Sequence, residues 1–544
     1  MIPKNDVKVF LKKITGPFWP KFRKNKQEFD ELRTILPTFL QHPFHSGQAG
    51  KKVLLVNMGI LDAKIEAVYA KVFESLGYEI HILAAYHPDL KKIFNLFGVN
   101  QIHYYEDFFK KYSLNKFSKN AHQDFNILSS PKEFLNLRWK NIQIGKYSSS
   151  SVMRATRKSG FDTQETETQK HLINALTYSY RAAVVSYDII NKIKPDLCML
   201  IDRGYTPEGE LFDACLDQKI PVIQRCGAHK SGYEVLKRYS SPEMSILHHH
   251  SLSAESWSYV KNMPWNEQSW KNLYNELAST YESGDWYSEV GTQFNKRLYS
   301  RQNLINELNL DAHKKVAVIF PHMFWDATFF WGTDLFNDYY DWFVNVLKIA
   351  AQNTRLNWII KIHPANLVKA KRDNYKGEHV ELKAVYDTLG QLPEHIKVIP
   401  PESNINTFSL YNIMDYCLTV RGTVGIEASM LGINTLTAGT GRFDGLGFTI
   451  DFDNQQKYLN SIRHLEEILP LSSDKIELAR RFAYGIFMLR PIHLDLVDYR
   501  YLQDNKASIK FVPLFKNRQD FENSKFYTTL RNFIASSKDD YLNI

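Results

Sequence analysis

Twice along this chain, short apolar runs alternate with amphipathic helical stretches, and that rhythm constrains the fold more than any other feature. KKVLLVNMG (51–59) is an apolar strand closed by glycine. AKIEAVYAKVFESLG (63–77) carries apolar residues at helical spacing and ends on Gly77, which suits a left-handed C-cap. YEIHILAAY (78–86) is the next strand. Strand, helix and strand within roughly 35 residues is a βαβ unit, and such units build parallel sheets. The rhythm loosens across 100–175, a polar stretch read as an insertion or helical excursion. It resumes with a long helix over 169–193, a strand in KPDLCMLIDRG (194–204), a helix over 208–218 and a strand in IPVIQRCGAH (220–229). A second alternation starts at KKVAVIFPHM (314–323). It runs through the helix 340–353, the strands in LNWIIKIHP (356–364) and IKVIPP (396–401), a helix near 406–413, and DYCLTV (415–420). The loop RGTVG, the helix IEASMLG and the strand INTLTAG complete it.

The fold class is therefore α/β, with two Rossmann-like doubly wound domains facing a cleft and helical extensions at both ends. The expected division is a basic and aromatic arm at 1–50, a first domain at 51–285, a connector at 286–305, a second domain at 306–470 and a helical segment at 471–544. At 544 residues the chain is too long for a single core. Its 44% hydrophobic and 23% charged residues fit a folded protein.

Charge and cysteines narrow the function classes. The net charge of +9 accommodates an acidic ligand without demanding nucleic acid, and no nucleic-acid motif stands in the sequence. Cys198, Cys215, Cys226 and Cys417 form no C-x-x-C pair, which argues against a disulfide framework or a zinc site and for a cytoplasmic setting. The run His248–His250 reads as an exposed loop; DFD (451–453) and DLVD (495–498) are acidic pairs, the first in an apparent turn after the glycine loops, and no metal is expected. There is no apolar run of the ~18–20 residues that span a bilayer, and no secretory h-region. The arm around Phe10, Phe18 and Trp19, rich in lysine, suits either peripheral contact with the inner face of an anionic membrane or a solvated leader.

Ligands of open α/β sheets gather at the carboxyl ends of the strands. Three such ends in the second half carry polar or glycine-rich tips: FPHMFWDATFFWG (320–332), WIIKIHPAN (358–366) and RGTVGIEASMLG (421–432). His322, Trp325 and Asp326 stand on the first, Lys361, His363 and Pro364 on the second. On the third, Gly422 and Gly425 permit close approach of a ligand. Thr423 caps the following helix, whose N–H groups and dipole favour phosphate. Arg421 suits a diphosphate or carboxylate, and Glu427 in the first turn suits ribose hydroxyls. The bland alternatives are a βα turn for the glycine loop and core packing for the aromatics. Pro364 by itself ends a strand.

These stretches, with AGTGRFDGLGFT (438–449), resemble bacterial capsule and surface-polysaccharide glycosyltransferases of the GT-B fold, and the His-Pro pair resembles Kdo- and sialyltransferase-like enzymes. The resemblance covers about a third of the chain closely. It implies a metal-independent transferase with no cofactor beyond a CMP- or UDP-linked sugar. His363 would meet the donor phosphate or cytidine, and Thr423 with its neighbouring amides would hold the phosphate. The loop here is Arg-Gly-Thr where sialyltransferases carry Ser-Ser or Ser-Thr, so both nucleotides stay open. The acceptor would be a growing capsule or lipopolysaccharide glycan, free or lipid-linked. An inverting transferase needs one carboxylate to take the acceptor proton. LIDRGYTPEGELFDAC (200–215) offers Asp202, Glu208 and Glu210, unless Arg203 neutralises the first and the others are ordinary first-turn acids. Gly59, His229 and Lys230 stand on the acceptor side. A CDP-polyol phosphotransferase of teichoic-acid type and a GT-B-like nucleotide-sugar epimerase remain as alternatives.

Overall fold

The computed structural model describes residues 26–42, 44, 50–57, 59–60, 62–158, 160, 162–287, 292–326, 329–501 and 509–544; residues 1–25 of the basic arm lie outside them. Two sheets organise the chain. The first holds seven strands: β1 (Lys52–Asn57), β2 (Glu79–Ala84), β3 (Ile102–Tyr104), β4 (Leu197–Leu200), β5 (Val222–Gly227), β6 (Tyr233–Tyr239) and β12 (Ile492–His493). The second holds β7 (Val316–Ile319), β8 (Asn357–Lys361), β9 (Ile396–Ile399), β10 (Tyr416–Thr419) and β11 (Asn434–Thr437).

Their orders are β12-β6-β5-β4-β1-β2-β3 and β11-β10-β7-β8-β9. In both, the chain starts in the middle, builds two strands to one side, then returns to build the other. The second sheet is parallel throughout, with Ile319 opposite Ile360 and Leu418. The first is parallel from β3 to β5 and gains an antiparallel edge at β6 and β12. Helices cover both faces, so the strands read as continuous apolar runs rather than alternating ones. Leu54 and Val56 enter one core while Val53 and Leu55 enter the other. In the second sheet Val316 and Val318 face one core, and Ala317 and Ile319 the opposite one. Two Rossmann-like lobes meeting across a seam make the GT-B arrangement.

The helices packed around the two sheets include α1 (Ala63–Ser75), α2 (Ile144–Thr156), α3 (Thr166–Ile193), α4 (Glu208–Asp217), α5 (Glu267–Glu282), α6 (Tyr339–Gln352), α7 (Ala365–Arg372), α8 (Thr423–Met430), α9 (Ser473–Tyr484) and α10 (Lys525–Ala535). The described residues of 100–175 belong to the first lobe. Its Phe108, Phe117, Phe134 and Tyr147 sit in the same core as α3. The tail returns along the chain's whole height: α9 packs on α8, β12 pairs with β6, and α10 packs on α1 and β12. Between β8 and β9 two helices intervene, α7 and a second at Val380–Leu389, where the sequence reading passes directly from strand to strand.

Candidate functional site: the seam between two sheet edges

Because each sheet is built outward from its first strand, the loops after β1 and β4 part company, as do those after β7 and β10. Each parting leaves a crevice at the carboxyl edge. In the second lobe the crevice lies between the loop bearing His322 and the loop bearing Arg421. The Arg421 backbone N–H donates to His322 Nε2 at 3.3 Å, so the ring proton sits on Nδ1. The ring stacks on Tyr339 with centroids 4.4 Å apart. Burial, reinforced by the Arg421 cation, holds the imidazole well below its ordinary pKa.

His363 follows β8 and is part-exposed. Its Nδ1 accepts the Ala365 N–H at 3.2 Å, capping α7 from outside and placing the proton on Nε2. Burial and the nearby Lys369 bring it down to about 4. Both histidines are therefore uncharged N–H donors at neutral pH. Pro364 is the N-cap of α7 and is buried. Lys361 is 2% exposed, and its Nζ has no hydrogen-bond partner among the described residues. Burial, with Lys296 adding repulsion, drops this amine to about 7. A buried ammonium without a partner is costly, so an anion arriving here would be welcomed.

The start of α8 completes the edge. Gly422, not Thr423, is the N-cap: its backbone is extended (φ −65°, ψ 153°) and no side chain caps the helix. Thr423 is the first helical residue, and its hydroxyl bears on Glu427. The leading N–H groups of α8 have no intrahelical partners and carry the positive end of its dipole. A side chain at 422 would begin 2.9 Å from Thr419 Oγ1 and displace the hydroxyl that accepts the Gly422 N–H.

Three further expectations for this loop are corrected. Arg421 is buried and committed: it pairs with Asp334 and donates to Tyr339 Oη at 3.1 Å and to the Thr440 carbonyl at 3.0 Å. It braces the loop rather than a ligand. Gly425 makes room for packing, because a Cβ there would lie 2.6 Å from Phe443 Cζ. Glu427 is fully buried, accepts the hydroxyls of Tyr281 and Tyr411 on Oε2, and presents nothing to a ribose.

Across the seam, the loop between β4 and α4 brings Asp202 and Glu208 to the edge of the first sheet, both part-exposed. Asp202 Oδ1 accepts the Gly204 N–H at 2.8 Å, and burial raises its pKa. Burial pushes Glu208 up to about 8, with the charge of Asp202 adding to the effect. Glu210 is corrected: it is wholly buried and takes hydroxyls from Ser179 and, at 2.8 Å, from Thr206. His229 is corrected too. It is 2% exposed and bonded through Nε2 to Glu276 of α5 at 2.8 Å, against Trp286. Lys230 pairs with the same carboxylate at 2.6 Å but still lines a small pocket with Asp62 and Arg225. Gly59, part-exposed, follows β1 at the carboxyl edge of the first sheet.

The lobes are latched. Asp326 receives Arg154 of α2 and the Tyr205 hydroxyl, both at 2.9 Å, and also Lys369 of α7. Trp325 is buried beneath Arg157, whose guanidinium lies 4.3 Å from its ring. Both residues serve the latch rather than a ligand. The histidine run is not an exposed loop: His248 and His250 are buried at the seam, and the His248 N–H donates to the Gly441 carbonyl at 2.9 Å. Sequence reasoning missed Arg442, which stands in the quoted glycine-dense loop. Its Nη1 donates to the Arg421 carbonyl at 3.1 Å. A lone arginine amid glycines was the available signal.

No family model matches the chain. No curated protein matches it either. Among solved structures it is similar to a beta Kdo 2,4 transferase, KpsC, of Thermosulfurimonas dismutans, with 12% identity, 58% of this chain and 84% of that one covered, and a TM-score of 0.33. It is also similar to the UDP-GlcNAc 2-epimerase of Neisseria meningitidis, with 15% identity, 80% and 96% covered, and a TM-score of 0.28. A third is a glycosyltransferase of Rickettsia africae, with 11% identity, 81% and 94% covered, and a TM-score of 0.26. Strand order and the seam contacts, not these likenesses, define the architecture described above. Among the described residues no helix is long and apolar enough to cross a membrane.

Proposed function

We propose that this protein is a glycosyltransferase that binds a nucleotide sugar on the second lobe and an acceptor glycan against the first. The observation that carries this reading is that neighbouring strand ends of one sheet edge bear an uncapped helix N-terminus, two neutral histidines and a buried lysine whose Nζ has no hydrogen-bond partner among the described residues. That is a set of donors awaiting a phosphate. In the reaction, the α8 amides and His363 Nε2–H take up the charge that develops on the leaving phosphate as the glycosidic C–O bond breaks. Asp202 or Glu208 receives the acceptor hydroxyl proton. The latched lobes exclude water and align the two partners. The donor is CMP- or UDP-linked, the acceptor a capsule or lipopolysaccharide glycan, and the protein works in the cytoplasm or at the inner membrane face.

A thermal-shift panel with CMP, CDP, UDP, GDP and ADP tests the reading. A selective rise with CMP or UDP is expected. No rise with any of the five would sink it. Incubation with donor alone then separates a transferase, which needs an acceptor, from an epimerase.

A further inference from the structure

Where the histidine run meets the Gly441–Arg442 turn, Cys226 and a ring nitrogen from each of His249 and His250 lie within 4.8 Å of one another. That spacing suits a transition metal, but the surroundings do not. A metal-bound histidine passes its second N–H to an acceptor. Here His250 Nδ1 faces Arg442 Nη2 at 3.4 Å, and a guanidinium has no acceptor to offer. Nδ1 is thereby the ring's lone pair, and the Nε2 proton points at Cys226 Sγ, 3.3 Å away. The atom that would bind metal is occupied by its own proton. The charges of Arg442, Arg203, Arg490 and Lys237 also bear on His249, and all disfavour an added cation.

The same features favour an anion. Arg203 donates to Gln224 and the Leu247 carbonyl, and Arg490 donates to the carbonyls of His249, Ser251 and Leu236 and pairs with Asp540; both are buried out of a ligand's reach. Arg442 is different. No carboxylate lies at ion-pair distance from it among the described residues, and its Nε is buried without a hydrogen-bond partner, as is His249 Nδ1. Asp444 accepts the Arg442 backbone N–H at 3.1 Å, and Glu427, whose charge bears on the guanidinium, already accepts two tyrosine hydroxyls. Arg442 and His249 are each part-exposed on the seam. We propose that this junction is an oxyanion-binding site, with Arg442 as its cation and His249 as its second contact, for a phosphate or a carboxylate carried by the substrate. The proposal rests on the seam being the substrate cleft and adds a second anionic group to what the ligand must present.

Calorimetric titration of the full chain with inorganic pyrophosphate and with glucuronate tests this. Wild type is expected to bind at least one probe, and the one bound more tightly tells phosphate from carboxylate. Affinity should fall at least tenfold in Arg442→Gln, recover partly in Arg442→Lys, and fall several-fold in His249→Ala, which also serves if Arg442→Gln does not fold. Failure of both probes to bind, or unchanged affinity in Arg442→Gln and His249→Ala, overturns the proposal. So does a thiolate–cobalt absorption band on Co(II) titration that disappears in Cys226→Ser. The nucleotide reading has its own test in His363→Ala, so the two failures are distinguishable.

Discussion

Replacing Asp540 by alanine is expected to destabilise the first lobe by about 3–5 kcal/mol, the cost of removing one partner from a buried ion pair. Asp540 and Lys237 are each fully buried and lie 2.9 Å apart; Arg490, also fully buried, is 3.4 Å from the same carboxylate. The Ser253 N–H donates to its second oxygen. Alanine leaves two buried cations without their counter-charge and the Ser253 amide without its acceptor. At about 2–4 °C per kcal/mol, the melting transition of that lobe falls by roughly 10 °C in calorimetry. Burial alone would raise the Asp540 pKa, but Lys237 and Arg490 hold it at about 2. A depressed carboxylate stabilises the fold above its ordinary pKa and loses that contribution as pH falls through the folded value. Wild type should therefore lose about 2 kcal/mol between pH 4 and 2, a loss that Asp540→Asn lacks. A drop below about 1 kcal/mol in Asp540→Ala would show that the tail is not anchored by this carboxylate.

The second large effect has opposite signs in two readouts. Lys361→Met should raise the melting temperature of the free protein, because it removes a buried amine that has no hydrogen-bond partner among the described residues. The same change should weaken nucleotide binding by about tenfold or more, as should His363→Ala, which removes an N–H bonded to a charged group. The pH dependence follows from the sign of the lysine shift. In the free protein Lys361 loses its proton near pH 7; a bound anion raises that value, so binding above pH 7 takes up a proton. Wild-type affinity should then fall by up to about tenfold per pH unit above 7, and Lys361→Met should be flat over that range. If the variant melts lower and binds as well as wild type, Lys361 is a structural residue.

Much of the fold was legible because parallel strands buried on both faces write themselves as uninterrupted apolar runs, as in VLLV at 53–56 and WII at 358–360. What escaped was whatever depends on distant partners. β12 is two residues long and exists only by pairing with Glu234 and Tyr233, more than 250 positions earlier. α7 begins at Ala365, directly after a proline that reads as a stop but serves as an N-cap.

The site divided along the same line. His322, Lys361 and His363 could be placed at a sheet edge from the sequence because strand ends mark that edge, and an edge is a local property of the sequence. Arg421, Glu210 and Glu427 were misassigned because their polar types suggest ligands. Their partners Asp334, Ser179 and Tyr281 lie far off in sequence and turn each into an internal brace. The histidine run failed for the same reason: only the meeting of Gly441 and Trp331 with His248 buries it.

A nucleotide held at the second lobe's sheet edge is visible in the structure of the full chain in complex with whichever nucleotide stabilises it. A phosphate oxygen is expected within hydrogen-bond distance of the Thr423 backbone N–H and of His363 Nε2. A nucleotide seated at the first sheet's edge, or with its phosphates turned away from α8, would contradict it.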